Sequence, residues 1–451
     1  MAVTDTHEIV SENADRYVGW LTEACSIPSM AGEPEGLTTM AAWLEDKLVG
    51  LGAATERLTY TGSPDALLGH IGSGNRTVLV YDHYDVQPVD PLDLWVSQPF
   101  APEIRDGVFF ARGAADNKGD LVARLAGIDA YQKVHGELPV DLKFFVEGEE
   151  ETGSKSFEGI VEQYGDKLAA DGCIWEGVGI DHSGRPLLVF GAKGLCYVEL
   201  NLRLLNEDQH SSVAVIAPNA GWRLMEALAT MRDETGRVLI EGFYDDVLPP
   251  NAEDLKLLES FPFDEEAELE RLGISSFVGG DRGPDLLKRL LFEPTCNLAG
   301  FVTGFTVPGT SKTVLPKEAM AKLDLRLVPE QDPADIAAKI RKHLDQRGFD
   351  DIEMQTFSME HPVKSPTDSA IGAAAIAATA TVFDQKPAVA PVMIATGPMY
   401  PVAHTLGIPT VSPAGVCRPD SNIHAPNENC RVDDFLKIVE YTAAWIGSFA
   451  T

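Results

Sequence analysis

Histidines and carboxylates follow short apolar segments at several points of the chain. The apolar segments are TVLVY (77–81), VFFAR (108–112), LKFFV (142–146), CIW (173–175) and IPTV (408–411). Shortly after them, or after one loop in the last case, stand the candidate ligands His83, Asp85, Asp116, Glu147, Glu149, Glu150, Glu151, Glu176 and His424. Two histidines with several carboxylates and no thiolate suit zinc, cobalt or manganese, with about four ligands per ion. The spacing therefore indicates a metal site.

The elements that must position these side chains are buried strands with helices between them. The apolar, β-branched runs are typical of buried strands, and residues 14–23, 37–51 and 120–134 have apolar side chains at helical spacing. This alternation predicts an α/β fold with a mixed, largely parallel sheet sandwiched by helices. Because open α/β sheets bind ligands at the carboxyl ends of their strands, we expect the candidate ligands to converge in one crevice.

The middle of the chain has a different pattern. CYVELNLRL (196–204) and KLDLRLV (322–328) alternate apolar and polar residues, which is typical of strands with one solvated face. Residues 220–232 and 334–347 have helical periodicity. Residues 245–285 are acidic with little periodic apolar pattern, so we expect a solvated excursion there.

These patterns predict two domains. Residues 1–195 and 364–451 would form the metal-binding α/β domain. Residues 196–363 would form an α+β domain inserted into it.

Composition and charge exclude several classes of protein. Asp and Glu number 69 against 36 Lys and Arg, so the 451-residue chain has a net charge of −33. Such a surface repels phosphate backbones and anionic lipid, and we expect neither nucleic-acid nor membrane binding. The amino terminus does not fit a signal peptide, and no run of about 18 apolar residues occurs. Six widely spaced cysteines favour free thiols, so a cytoplasmic protein is expected.

Each of these signals has an ordinary explanation when it is taken alone. A histidine such as His83 is more often a surface or core residue, and Asp116 nearly has the position of a helix N-cap. A run of glutamates is usually a solvated charge cluster. The candidate ligands all follow buried strands, and this common position favours a metal site. Stability alone does not account for the acids crowded between Glu147 and Glu151.

Three longer motifs carry a family resemblance. They are HYDVQP (83–88), ARGAADNKG (111–119) and EGEEETGS (147–154). They resemble the signatures of the dinuclear zinc peptidases, the family of aminoacylase, carboxypeptidase G, acetylornithine deacetylase and carnosinase-type dipeptidases. Their order and spacing match across almost the whole chain, and HYDVQP points to the carnosinase-like and carboxypeptidase-like branch. The resemblance implies a hydrolase with two divalent metal ions, zinc first and manganese or cobalt as alternatives.

The resemblance implies a role for each metal ligand. Asp116 would bridge the two ions. His83 and Glu176 would complete one site. Glu151 and His424, the latter in SNIH (421–424), would complete the other.

Two further carboxylates would support the reaction in this family. Asp85 would hydrogen-bond and orient His83. The family pattern Glu-Gly-x-Glu-Glu-x-Gly-Ser assigns Glu150 as the general base and leaves Glu149 at the variable position. Two cations that share a carboxylate can hold a water and lower its pKa towards neutrality, which supplies a bridging hydroxide. Glu150 would take the proton as this water attacks a carbonyl carbon, then deliver it to the leaving nitrogen.

Two residues of the inserted domain match further positions of the family. His210 lies in EDQHSS (207–212), which resembles Asp-x-His-Ser-Gly with Ser212 in place of glycine. In the family this histidine reaches the partner subunit's active site, which implies an oxyanion-binding role, and the inserted lid domain makes a homodimer. Arg326 matches the arginine that holds a substrate carboxylate. Without the family, a surface histidine and a strand-face salt bridge are the ordinary explanations.

One segment departs from the family. Dipeptidases of this kind have an Arg-Glu-Gly-Gly-Ser-like segment where this chain has ATGPMYP (395–401). The acid that would meet a substrate's free amine is therefore absent, and an apolar, aromatic surface is expected instead. This change leaves room for an N-acylated or aromatic substrate.

Three functions stay open on these grounds. The first is hydrolysis of an amide bond in a small carboxylate-bearing substrate, either a dipeptide or an N-acyl amino acid. The second uses the same dinuclear site on a non-peptide C–N bond, such as deamination of an aromatic amine. The third is a catalytically silent metal-binding protein. Glu150 argues against the third, since a binding protein needs no general base there.

Overall fold

The computed structural model describes residues 3–451, with side chains from residue 6 onward. The chain divides into two compact units. The first extends to Gly191 and continues through Lys364–Pro391 and Pro398–Thr451. The second comprises Ala192–Val363 and Val392–Gly397.

The second unit begins before Cys196, the boundary expected from the sequence. Cys196 lies inside the ten-residue strand Gly194–Arg203, so the boundary precedes that strand. Residues 392–397 join the unit by backbone pairing, since the Lys193 amide donates to the Ala395 carbonyl at 3.0 Å.

A six-stranded mixed sheet forms the centre of the first unit. Its strands, in spatial order, are Ala54–Leu58, Ala66–Ile71, Asp141–Glu147, Thr77–His83, Gly172–Ile174 and Thr410–Val411. The first two pairings are antiparallel and the other three are parallel. His83 pairs with Glu147, so the carboxyl ends of two parallel strands coincide. The predicted fold class, a largely parallel sheet with helices, is confirmed.

The helices of the first unit cover this sheet. They are Val3–Glu12, Ala14–Cys25, Pro34–Gly50, Lys118–His135, Phe157–Leu168, Ala370–Val382 and Val432–Phe449. Lys118–His135 is buried from Lys118 to Ala130, because it lies among the sheet and other helices. Its Gly127 allows close packing, since a Cβ there would lie 2.4 Å from the Cβ of Thr442.

Small sheets connect the loops that carry the candidate ligands. Asn429–Arg431, Val108–Phe110 and Glu103–Arg105 form a three-stranded antiparallel sheet. Leu187–Val189 pairs in parallel with Ala388–Ala390. The first of these sheets holds the loop after Phe110 beside the loop before Asn429.

The second unit is built on a four-stranded antiparallel sheet. Its strands, in spatial order, are Asn297–Thr303, Glu318–Leu327, Gly194–Arg203 and Glu353–Glu360. Gly194–Arg203 alternates buried and partly exposed residues, as its apolar and polar alternation predicts. The helices are Ala220–Ala229, Ala252–Ser260, Glu265–Leu272, Gly283–Phe292 and Pro333–Gln346. A short ladder joins Gln209–His210 to Val314–Leu315.

Residues 245–285 are more regular than the predicted solvated excursion. They contain two complete helices, which begin after the N-caps Asn251 and Asp264. The only apolar side chains buried by these helices are Leu258 and Leu269, respectively, so a periodic apolar pattern is nearly missing. Capping by side chains specifies the helix starts instead.

No helix in the described part of the chain is both long and apolar enough to cross a bilayer. All six cysteines are free, and five of them are buried.

Candidate active site

His83 lies at the end of the central strand Thr77–His83 and is fully buried. Its Nε2 atom is 3.1 Å from Oδ1 of Asp116 and 3.4 Å from Oε2 of Glu176. Glu176 follows the neighbouring strand Gly172–Ile174 closely, so parallel pairing brings it to the same edge of the sheet. These three residues form one half of the site.

His424 and Glu151 form the other half. His424 Nε2 is 3.0 Å from Oδ2 of Asp116 and 3.1 Å from Oε2 of Glu151. His424 has a φ of 60°, a left-handed conformation that costs energy for a non-glycine residue and is common at functional sites. Each carboxylate oxygen of Asp116 therefore faces a different histidine.

These donors fit divalent metal ions. Two ligands bound at about 2.1 Å with tetrahedral angles lie roughly 3.4 Å apart, close to the observed 3.0–3.4 Å between the nitrogens and oxygens. His83, Asp116 and Glu151 each offer an atom within 4.8 Å of the others. Oε1 of Glu151 is buried without a hydrogen-bond partner in the described structure. A cation would satisfy this oxygen and offset the carboxylate repulsion.

Asp85 connects the two halves through the backbone. Its carboxylate accepts the amide N–H groups of Glu150 at 3.2 Å and Glu151 at 3.0 Å. Its Oδ1 is also 3.3 Å from Nδ1 of His83, and both side chains are fully buried. One carboxylate thus orients a histidine and fixes the turn that carries two acids.

Glu147 ends the strand Asp141–Glu147, three further glutamates follow it, and each of the four has separate surroundings. Glu147 accepts hydrogen bonds from Tyr81 and Ser154, and Glu149 accepts the backbone N–H of Ser156. Glu151 accepts a hydrogen bond from the Gln87 amide at 2.9 Å.

Glu150 differs from its neighbours, because its carboxylate has no hydrogen-bond partner within the described residues. Burial raises the pKa of Glu150 well above its usual range, and repulsion from Glu176, Asp116 and Glu151 adds to the rise against the attraction of His83. Glu150 is therefore the acid with an unengaged carboxylate and a raised proton affinity.

The close packing of these acids and histidines shifts their pKa values. Burial raises the pKa of Glu176 to about 7. Burial would also raise the pKa of Asp116, but hydrogen bonds from His424 and His83 lower it overall. Hydrogen bonds to Asp116 and Glu151 raise the pKa of His424 to about 10. For His83, burial opposes ionisation, yet the same acidic surroundings raise its pKa well above the usual value.

Sequence reasoning missed Glu428, which holds the Asp116 loop. Its buried carboxylate accepts backbone N–H groups of Gly113, Ala115 and Asp116 at 2.9–3.0 Å. It also accepts a 2.6 Å hydrogen bond from the buried Arg112. The only sign of Glu428 in the sequence is an acid four residues after His424, and this spacing belongs to no motif.

His210 and Arg326 belong to the second unit, whereas the seven other predicted site residues come together in the first. His210 is exposed, with Nδ1 2.9 Å from Ser212 Oγ and Nε2 3.2 Å from Thr313 Oγ1. Arg326 donates to Thr396 Oγ1 at 2.5 Å, and its Nε is 3.4 Å from Asp324.

The expected apolar surface at residues 395–401 is only partly present. Met399 is fully buried, and Tyr400 is partly buried and stacks on His404 at 4.4 Å between ring centroids. Thr396 is engaged with Arg326. The segment contributes a hydroxyl beside the guanidinium rather than a continuous apolar face.

Two histidines and two glutamates lie around the Asp116 carboxylate at the edge of the parallel strands, an arrangement that fits divalent metal ions. The family model of Peptidase family M20/M25/M40 matches residues 79–448, and the chain belongs to this family. It is therefore a peptidase with divalent metal ions. The predicted family, fold class and enzyme class are confirmed, and the catalytically silent alternative is wrong.

A solved structure and two curated proteins illustrate the similarity. The M20 family metallo-carboxypeptidase Sso-CP2 from Sulfolobus solfataricus is 38% identical, with a TM-score of 0.89, over 96% of this chain and 99% of that chain. The Beta-Ala-His dipeptidase of Homo sapiens is 27% identical over 431 residues, 88% of this chain and 82% of the relative. The Cys-Gly metallodipeptidase of Schizosaccharomyces pombe is 28% identical over 370 residues, 76% of each chain.

Proposed function

We propose that this peptidase is a dinuclear zinc enzyme that hydrolyses the peptide bond of dipeptide-sized substrates with a free carboxylate. The observation that carries the proposal is the pairing of each Asp116 oxygen with a different histidine. The names of the similar proteins, a metallo-carboxypeptidase and two dipeptidases, support a short peptide as the substrate. A cytoplasmic location stays a prediction.

Asp116 would contribute a ligand to each of the two ions. His83 and Glu176 would complete one set of ligands, and His83 Nε2 is 3.1 Å from Asp116 and 3.4 Å from Glu176. Glu151 and His424 would complete the other set, and the Gln87 amide donates to Glu151. When bound, the ions would lower the pKa of a water and polarise the substrate carbonyl.

Glu150 is the proposed general base. Its carboxylate accepts no hydrogen bond from the described residues, while the backbone of the same residue is held by Asp85. A fixed backbone with an unengaged carboxylate suits a group that must accept a proton and release it within one turnover. Glu150 would pass that proton to the amine that leaves when the C–N bond breaks.

Two residues of the second unit are proposed to bind the substrate. Arg326 would hold the terminal carboxylate, since its Nη2 is not engaged by the contacts to Thr396 and Asp324. His210 would stabilise the oxyanion as a hydrogen-bond donor. Its exposure leaves the imidazole accessible from outside the second unit.

A homodimer is proposed because the second unit presents apolar surface. Val215 is 90% exposed, Ile216 84% and Trp222 65%. The strand Asn297–Thr303 stands at an edge of its sheet. Exposed apolar patches and sheet edges are typical of protein interfaces. His210 is proposed to act in the partner subunit of such a dimer, as the family resemblance implies.

Metal stoichiometry and substrate turnover test the proposal together. The chelated protein should lose hydrolysis of dipeptides and regain it with about two zinc ions per chain. Asp116→Asn should bind fewer ions, whereas the exposed control Asp93→Asn should keep both. Full activity without metal, or one ion per chain, would contradict the dinuclear site. Turnover confined to N-acyl amino acids, and not dipeptides, would contradict the proposed substrate.

A further inference from the structure

One buried arginine of the first unit contacts the strand ends that carry candidate metal ligands. Arg124 belongs to the helix Lys118–His135, and its side chain is only 3% exposed. Burial of a guanidinium costs free energy unless partners meet its donors and its charge. Within the described residues, Arg124 makes no hydrogen bond or ion pair with a candidate metal ligand itself. Its partners are instead the neighbours of those ligands.

Arg124 donates to two backbone carbonyls, one at each of two neighbouring strand ends. Its Nη1 donates to the Tyr81 carbonyl at 2.8 Å, two residues before His83. Its Nη2 donates to the carbonyl of Trp175, the residue directly before Glu176. The two nitrogens of a planar guanidinium have a fixed separation, so one side chain sets the distance between these carbonyls. Arg124 thereby fixes two parallel strand ends that carry metal ligands.

The charge of Arg124 connects it to a third ligand. Nη1 pairs with Oδ1 of Asp82 at 2.8 Å, and the Asp82 side chain is fully buried. The same oxygen accepts the side-chain amide of Asn117 at 2.9 Å. Asn117 directly follows Asp116 in the chain. The guanidinium thus reaches, directly or through one carboxylate, the neighbours of three ligands.

Asp120 of the same helix supports one of these strand ends from its other side. Its Oδ1 accepts the backbone N–H of Val416 at 2.8 Å. A Cβ at Gly177 would lie 2.4 Å from Oδ2 of Asp120, so the backbone after Glu176 packs closely against this carboxylate. The helix therefore contacts the backbone both before and after Glu176.

We infer that Arg124 is a positioning residue for one of the two proposed ions. This ion has the ligands His83, Asp116 and Glu176, and we name it the inner ion, because His83 is fully buried. The other is named the outer ion. The inference rests on the proposed dinuclear site and adds a residue that determines the affinity of one ion.

The outer ion has separate support. Asp85 accepts the backbone N–H of Glu151 at 3.0 Å, and Glu428 accepts that of Asp116 at 3.0 Å. Within the described part of the chain, neither acid makes a hydrogen bond or ion pair with Arg124. Replacement of Arg124 should therefore weaken the inner ion selectively.

Calorimetric titration of the metal-free protein with Co²⁺ measures the two affinities. Wild type should bind two ions per chain. Arg124→Lys keeps a positive charge beside Asp82, but a single ammonium cannot reproduce the fixed spacing of two guanidinium nitrogens. The variant should bind the inner ion about 10–100-fold more weakly, the usual effect of losing a residue that orients metal ligands. Its affinity for the outer ion should equal that of wild type.

Ligand variants identify which ion is affected. His424→Ala weakens the outer ion, and adding Arg124→Lys to it should weaken the remaining ion by the same 10–100-fold. His83→Ala weakens the inner ion, and adding Arg124→Lys to it should leave the remaining ion unchanged. Equal weakening of both ions by Arg124→Lys would overturn the inference, because a general loosening of the fold has that effect.

A charge-neutral double variant separates positioning from stability. Asp82→Asn combined with Arg124→Met leaves no unpaired charge buried, so it should be more stable in urea than Arg124→Met alone. It should still bind the inner ion as weakly as Arg124→Met does. The control Asp129→Asn removes an acid that pairs with Arg16 on the same helix as Arg124. It should lower the urea midpoint and keep both metal affinities.

Three results would overturn the inference and leave the proposed function intact. They are wild-type affinity for the inner ion in both Arg124→Lys and the double variant, recovery of that affinity together with stability in the double variant, and loss of the fold in both. Failure of the proposed function would instead appear as fewer than two ions bound by wild type, which also overturns the inference.

Discussion

Replacing Glu428 by Gln tests whether one buried carboxylate holds the Asp116 loop. Oε1 accepts the N–H groups of Ala115 and Asp116, and Oε2 accepts those of Arg112 and Gly113. A glutamine can replace only one of these oxygens, because its NH2 group would face two donors. The substitution therefore removes two hydrogen bonds and leaves Arg112 buried without an anion.

The expected loss of stability follows from the burial of the Arg112–Glu428 ion pair. Arg112 and Glu428 side chains are each 1% exposed, and removing one partner of a buried ion pair costs about 3–5 kcal/mol. Because the amide of Asp116 is released as well, metal affinity should decrease by about 10–100-fold.

Urea unfolding and metal titration measure both effects. The control Glu162→Gln alters an exposed acid of the first unit and should leave both quantities near wild type. The double variant Arg112→Met, Glu428→Gln should be less unstable than the sum of the two single variants, since no unpaired charge stays buried. A loss below about 1 kcal/mol for Glu428→Gln, with wild-type metal affinity, would refute this account.

Two further predictions concern a positioning carboxylate and a buried histidine. Asp85→Asn should weaken metal binding by about 10–100-fold, because the amide cannot accept both backbone N–H groups and still orient His83. Calorimetric titration with zinc measures the affinity, and an unchanged affinity would contradict the prediction. Burial lowers the pKa of His343 from its usual 6.5, so the unfolded chain binds the proton more readily and stability should fall as pH decreases below about 6.5. His343→Gln should show a smaller fall in urea midpoint between pH 7.5 and 5.5, and an equal fall in both proteins would contradict the assignment.

Much of the fold is encoded locally. The run TVLVY predicts the central strand because its apolar, β-branched side chains are buried on both faces, and the structure extends that strand to His83. The helix at 120–134 is similarly evident, although it begins at Lys118. The helices Ala252–Ser260 and Glu265–Leu272 were missed, because capping by Asn251 and Asp264 specifies them while few apolar residues mark their buried sides.

Part of the candidate site could also be predicted from local sequence, and part of it could not. His83, Asp85 and the acids of 147–151 stand in contiguous motifs, so their proximity follows from two adjacent parallel strands. Glu428 acts through backbone groups more than 300 residues away in sequence, and hydrogen bonds of this kind leave no local pattern.

The central claim is that Glu150 moves the proton at a dinuclear metal site. The most direct measurement is kcat of Glu150→Gln with its metal content determined on the same sample. We predict that the variant keeps two ions per chain and the wild-type fold, while kcat falls by about 10²–10⁴-fold because the base is lost. A variant with two bound ions and wild-type kcat would contradict the account.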